Sequence, residues 1–138
     1  MDINYYIYGS NKYLEKYGIP KNTNDLNKHK FISFGKGAPS PVFNPDWALK
    51  LGVKDNKKRK PVMKVNSVMG LLLAVESGVG LASLPEYLVI NSTNVIKVLP
   101  NLAGPITEAH FVYPQSLKNV ARVQAFRNFL YSKIGDWK

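Results

Sequence analysis

Residues 61–85 read PVMKVNSVMGLLLAVESGVGLASLP, and the fold turns on how they are parsed. Val62, Lys64 and Asn66 alternate with Met63, Val65 and Ser67, the period of a short strand. Asn66 or Ser67 can cap a helix, because a short polar side chain accepts a hydrogen bond from a free N–H of the first turn. Val68 to Val75 is apolar almost all round, which predicts a helix buried on more than one side. Gly78 follows the last turn, where a left-handed residue commonly ends a helix. Val79 to Leu84 then reads as a buried strand that Pro85 stops. A helix between two short strands is a crossover unit, and such units build parallel sheets.

Outward from this unit the elements are short. Asn4 to Tyr8 predicts a strand of aromatic and β-branched residues. Ser10 can cap a helix from Asn11 to Tyr17, ended by Gly18 and kept from resuming by Pro20. Asn22 or Thr23 starts a turn through Asp25, Leu26 and Asn27, and Phe31 to Phe34 is a second strand. The stretch GKGAPSPVFNPD, Gly35 to Asp46, is too rich in Gly and Pro for regular structure. Trp47 to Leu51 reads as a strand, and the turn GVKDNKKR then pairs it as a hairpin with Lys60 to Asn66. Pro85 to Ile90 predicts a short helix with proline at its first position. Val95 to Leu99 is a strand, Asn101 to Thr107 a turn region, and Ala109 to Tyr113 the last strand. After Pro114, with Ser116 a candidate cap, Leu117, Val120, Val123, Phe126, Phe129, Leu130 and Ile134 recur at helical spacing. This amphipathic helix needs a surface to cover.

The totals bound the class. The 138 residues make one domain's worth of chain, 45% hydrophobic and 20% charged, an ordinary globular composition. No apolar run has the length to span a bilayer, and the N-terminus lacks a signal pattern, so a cytoplasmic setting is expected. Cysteine is absent, which excludes disulfides and thiolate metal sites. The net charge of +10 and pI near 9.8 favour polyanions, although a basic bias without a binding motif also fits a merely well-solvated surface.

The run VNSVMGLLLAVESGVGLASLPEYLV resembles the effector-binding domain of LysR-type transcriptional regulators: a polar strand end, an apolar helix, Gly-x-Gly, an apolar strand, then Leu-Pro. YIYGSNKYLEKYGIPKNTNDLNKHKFISF resembles the family's strand, short helix, Gly-x-Pro, Asp-Leu and basic-then-apolar run. VIKVLP and HFVYPQSLKNVARVQAFRNFLYSKI resemble its closing strands and last helix. The resemblance covers nearly the whole chain in order. It implies an α/β fold: a periplasmic-binding-protein-like three-layer subdomain with a central mixed sheet, plus a C-terminal helix that belongs to the partner subdomain. On that reading residues 1–8 are the outgoing crossover strand and 9–108 the second subdomain. Residues 109–138 are the return strand and final helix. The family's winged helix-turn-helix, linker helix and most of its first subdomain have no counterpart here. The expectation is therefore the sensing part of a regulator whose DNA contacts lie in a helix-turn-helix absent from this chain. The final helix, short of its usual surface, is expected to fold back or to pair with another chain, since apolar area left in water costs roughly 25 cal/mol per Å².

The partner the resemblance implies is a small-molecule effector, an anion among the candidates, in a homo-oligomeric setting and without a membrane. The candidate effector site is the polar end of the central unit, Asn66, Ser67 and Val68. A helix N-terminus presents unpaired N–H groups to anions, and ligands in such folds sit at strand carboxyl ends. Ser67 as a cap and nothing more is the competing reading. Ser10, at a similar junction, carries the same two readings. Phe34, Gly35 and Lys36 close a strand at the cleft wall the family implies. There Lys36 can pair with an anion, or stand solvated like most lysines. Lys54, Lys57, Lys58, Arg59 and Lys60 form the densest basic run and fit an exposed hairpin turn.

Catalysis is not expected. His29 and His110 belong to no metal pattern, and Ser83 lacks the Gly-x-Ser-x-Gly elbow. Glu76 sits one turn from a helix end and is expected to reach solvent. Gly78-Val79-Gly80 lacks a dinucleotide fingerprint, so no cofactor is indicated. Three rivals stand beside the leading reading: a small basic nucleic-acid-binding protein, which needs its lysines gathered on one face; a stand-alone solute-binding or enzyme domain; and an inert remnant of a truncated regulator gene.

Overall fold

A computed structural model describes residues 1–35, 44, 46–53 and 57–134 of the chain. The central unit is strand β3 (Met63–Val65), helix α3 (Val68–Glu76) and strand β4 (Ala82–Pro85). Ser67 is the cap: its Oγ accepts the Gly70 N–H at 3.3 Å. At the other end Gly78 takes φ +79°, the left-handed region that glycine enters without steric cost.

Strand β1 (Asp2–Ser10) is the spine of the sheet. It pairs antiparallel with β4, Tyr5 opposite Pro85 and Tyr8 opposite Ala82. It pairs antiparallel with β5 (Val95–Val98) through Ile7 to Ser10, and with β6 (Ile106–Glu108) through Asp2 to Asn4. Strand β2 (Ile32–Phe34) pairs parallel with β3, Ile32 opposite Met63. A parallel bridge between Phe31 and Leu81 joins the two parts, with Ile32 N–H to Leu81 O and Leu81 N–H to Lys30 O both at 2.8 Å. The order β3-β2-β4-β1-β5 is thus a mixed sheet, in which the α3 crossover steps over β2.

Side-chain alternation gives this sheet two apolar faces. Ile7, Phe31 and Leu81 point to one side and meet Tyr13 and Leu14 of α1 (Asn11–Tyr17), Leu26 of the 3-10 turn Asp25–Lys28, and α2 (Trp47–Lys50). Tyr8, Ile32, Ala82 and Leu84 point to the other and meet Leu71, Leu72 and Val75 of α3 and Val89 of α4 (Glu86–Val89). A strand whose neighbouring residues enter opposite cores must be covered on both faces, which is what makes the subdomain three layers.

Several expectations are corrected. Trp47 to Leu51 is not a strand: Trp47–Lys50 is a helical turn, so its hairpin with Lys60 to Asn66 does not form, and β3 pairs with β2 instead. What holds the turn helical is tertiary. The Trp47 indole Nε1 donates to Ser83 Oγ at 2.7 Å, and the Arg59 guanidinium donates to the carbonyls of Ala48, Leu49 and Thr23 and to Asn27 Oδ1. The α3 helix is buried on one side only, with Met69 and Leu73 52% and 57% exposed. The last strand is Ile106–Glu108 and not Ala109 to Tyr113, because β1 ends as a partner there: Ala109 N–H donates to Met1 O at 2.8 Å and the pairing stops. Ser116 lies in a 3-10 turn (Gln115–Leu117), and the final helix α5 starts later, at Ala121–Ile134. Glu76 is half-buried, and its carboxylate accepts from Ser92 Oγ at 2.8 Å. No helix among the described residues is long and apolar enough to cross a membrane.

The C-terminal arm does not fold back into the core. No described residue of α5 is buried, and Phe126 and Phe129 lie more than half exposed. Its inner stripe of Leu130 and Ile134 shares a groove with Met1, Ala109 and Phe111, and Phe111 meets Phe126 edge-on at 5.7 Å between centroids.

Candidate functional site

Parallel pairing of β2 with β3, and the bridge from β2 to β4, bring the carboxyl ends of these strands to one pole of the sheet. Phe34, Gly35, Asn66, Ser67 and Val68 therefore sit together. The Gly35 N–H donates to Val65 O at 2.7 Å, tying the two strand ends, and Gly35, Lys64, Val65 and Asn66 line an open trough. Asn66 and Ser67 are exposed, and Phe34, Gly35 and Val68 half-buried. Ser67 satisfies the Gly70 N–H, so the free amides at the start of α3 are those ahead of it.

Ser10 is not part of this group. Because β1 runs antiparallel to β4, its carboxyl end lies at the opposite pole, with Ser10 opposite Val95. It is 1% exposed, and its Oγ accepts the Tyr13 N–H at 3.3 Å, a cap and a core residue. Lys36 lies outside the described residues, as do Lys54 and most of the Gly35-to-Asp46 loop.

The residue the sequence reading missed is Ser33. It stands between Ile32 and Phe34 on β2, 5% exposed, and its Oγ is buried without a hydrogen-bond partner among the described residues. Beside it lies a recess of about 20 Å³ bordered by Tyr5, Phe34, Val68, Leu71 and Ser83. An orphan buried hydroxyl costs about 1–3 kcal/mol, and the recess beside it has room for a partner the size of a water molecule. The available signal was a lone polar residue inside a strand whose neighbours are all apolar.

The Lys54-to-Lys60 run does not form one patch among its described members. Lys58 pairs with Asp46, while Arg59 turns inward over the Phe31 ring at 5.4 Å. Burial lowers the Arg59 guanidinium from its ordinary value. Tyr8, whose hydroxyl is also buried and unpartnered, is pushed up first by burial and then by the negative charge of Glu86. Tyr13 is likewise raised by burial, against the Lys30 N–H that its hydroxyl accepts at 2.8 Å.

The result is an open trough at strand carboxyl ends, flanked by a helix N-terminus. The family described as LysR substrate binding domain matches residues 1–134. The chain is similar to an uncharacterized HTH-type transcriptional regulator of Haemophilus influenzae, 31% identical over 110 residues, which are 76% of this chain and 36% of that protein. In structure it is similar to the regulatory domain of CrgA, a LysR-type transcriptional regulator from Neisseria meningitidis, with a TM-score of 0.72 at 24% identity over 96% of this chain and 65% of that one. It is also similar to the effector domain of the transcriptional regulator AmpR of Pseudomonas aeruginosa, with a TM-score of 0.60 at 14% identity over 94% and 60% of the two chains. The chain thus spans about a third of the curated relative's length and somewhat under two thirds of these regulatory domains. The structural likenesses give the fold, periplasmic-binding-protein-like. The match over residues 1–134 gives the lineage: this chain belongs to the LysR substrate binding domain family.

Proposed function

We propose that this chain forms one wall of the effector cleft of a LysR-type regulator, and that the trough at Phe34, Gly35, Asn66, Ser67 and Val68 takes a small polar or anionic molecule. The observation that carries the reading is Ser33: a buried hydroxyl without a partner, beside the amino end of α3, is a hydrogen bond held in reserve for a ligand. Exposed Asn66 supplies both a donor and an acceptor, and the leading amides of α3 favour a carboxylate. The role is binding without chemistry. Effector binding shifts the balance between domain arrangements, and the output passes to DNA through a helix-turn-helix module. On this reading the protein works in the cytoplasm as an oligomer. The start of β1, strand β6 and helix α5 pass to the companion subdomain, whose surface covers the apolar side of α5.

The test is a ¹⁵N chemical-shift titration of the chain with a panel of small carboxylates and amino acids at millimolar concentration. The reading expects the amides of Gly35, Asn66, Ser67 and Val68 to move together for at least one compound. Replacing Ser33 by Ala should weaken that response while leaving the apo fold intact. A panel that moves none of these amides, or moves only distant ones, refutes it.

A further inference from the structure

The pole opposite the trough is where the lysines gather. It is formed by the amino ends of β2, β3, β4 and β5 and the carboxyl end of β1, with α1 and the 3-10 turn beside it. Lys12 and Lys16 lie one turn apart on α1, Lys21 and Lys28 flank the 3-10 turn, and Lys30 and Lys60 precede β2 and β3. Five of the six lie between residues 12 and 30, and Lys60 comes from the approach to β3. All six are exposed, and none forms an ion pair among the described residues. The acidic side chains of the neighbouring elements are Glu15, Asp25 and Glu76. The Asp25 carboxylate already accepts the N–H groups of Lys21 and Asn22, and Glu76 accepts from Ser92. The Tyr17 ring, 40% exposed and tilted against Tyr13 with centroids 4.6 Å apart, has the Lys16 and Lys30 ammonium groups 5.4 and 5.7 Å from its centroid.

From this arrangement we infer that the pole is a sequence-independent contact surface for the phosphate backbone of nucleic acid, separate from the effector trough. Two considerations select nucleic acid over an acidic protein. Protein interfaces centre on desolvated apolar and aromatic residues and are depleted in lysine, whereas here six lysines stand among dispersed exposed apolar side chains, Tyr17, Ile19, Val62, Met63 and Ile96. Interfaces with nucleic acid are polar and strongly positive, and lysine serves them as a mobile point charge that replaces condensed counterions. An aromatic ring among such charges suits a sugar or base at the strand surface.

The experiment is fluorescence anisotropy of a labelled 20-base-pair duplex of arbitrary sequence, titrated with the chain between 50 and 200 mM salt. If about four phosphates are engaged, Kd rises on the order of 100-fold across that range. The variant carrying Lys12→Gln, Lys16→Gln, Lys28→Gln and Lys30→Gln should lose most of that slope, about 0.9 in log–log units per lysine removed. A charge-matched control carrying Lys64→Gln, Lys118→Gln, Arg122→Gln and Arg127→Gln should keep it. Circular dichroism melting shows whether both variants remain folded. The assignment is overturned if the parent does not bind at 50 mM salt, if both variants lose slope equally, or if polyglutamate of matched charge binds as tightly through the same lysines.

Discussion

Arg59 offers the sharpest test of how the two layers around α2 are held. Its guanidinium reaches Asn27 Oδ1 at 2.7 Å, and at 3.3–3.4 Å the carbonyls of Ala48, Leu49 and Thr23. It thereby fastens a four-residue helix and a 3-10 turn that lack enough internal hydrogen bonds to stand alone. The bond to Asn27 is short and charge-assisted, worth about 1.5–3 kcal/mol. The three to carbonyls are near the long limit and count for a few tenths each, roughly 1 kcal/mol together. Stacking over Phe31 adds about 0.5–1 kcal/mol. Against these stands the partial desolvation of the charge, which lowers its pKa, so Arg59→Met should cost about 2–3 kcal/mol net. Arg59→Lys keeps the charge but not the fork, and should recover about half of the loss. Urea unfolding followed by far-ultraviolet circular dichroism reads the cost directly. In a melt, at about 3–4 °C per kcal/mol for a chain of this size, Arg59→Met should fall by roughly 6–12 °C. A Met variant within 0.5 kcal/mol of the parent would show that Arg59 is a surface residue of the basic run and that α2 is held by Trp47 alone.

Other outcomes follow from single contacts. Gly80→Ala places a Cβ 2.6 Å from the Lys30 carbonyl oxygen, which is backbone and cannot yield, so the variant should lose about 2 kcal/mol or more and the bridge between β2 and β4 with it. Ser10→Ala removes a buried cap and should cost about 1 kcal/mol in urea unfolding. It should leave the ligand titration of the trough unchanged, and a changed titration would return Ser10 to the site. Ser33→Ala should be neutral or up to about 1 kcal/mol stabilising in the free protein, since it deletes an unpaired hydroxyl; a clear loss of stability would mean the hydroxyl is already satisfied. Burial lowers the His29 pKa, with Asp25 opposing and Lys28 adding to the effect. The unfolded chain therefore binds the proton more readily, and this contribution to stability is complete above about pH 6.5 and declines as the pH falls below it. Urea midpoints at pH 7.5 and 5.5 should differ less in His29→Gln than in the parent.

Much of the fold was legible because it is specified locally. Ser10 and Gly18 bracket α1, Asn22 organises the turn before Leu26 by accepting the N–H groups of Asn24 and Asp25, and Ser67 and Gly78 bracket α3. These are single-residue signals with one structural meaning. What could not be read was set from a distance. WALKL alternates like a strand, and bonds from Ser83 and Arg59, 36 and 12 positions downstream of Trp47, together with burial of Trp47, Ala48 and Leu49, hold it helical. The choice of β2 over a hairpin partner for β3, and of residues 106–108 over 109–113 for the last strand, depends on which backbone edges remain open once β1 is placed. The junction at Asn66 and Ser67 is legible as a strand end followed by a helix cap. Ser10 looks like it in sequence, and only strand direction puts the two at opposite poles. Ser33 carries no motif at all, and its meaning comes from burial without a partner.

The Phe31–Leu81 bridge has a mechanical consequence. Among the described residues two backbone bonds join β2 and β3 to the sheet of β1, β4, β5 and β6. Under load or mild denaturant the sheet should part along that seam. Amide protons of β2 and β3 should then trade with solvent as one batch, earlier than those of β1 and β4. The lip of the trough would be the first piece of the molecule to come undone and the last to set.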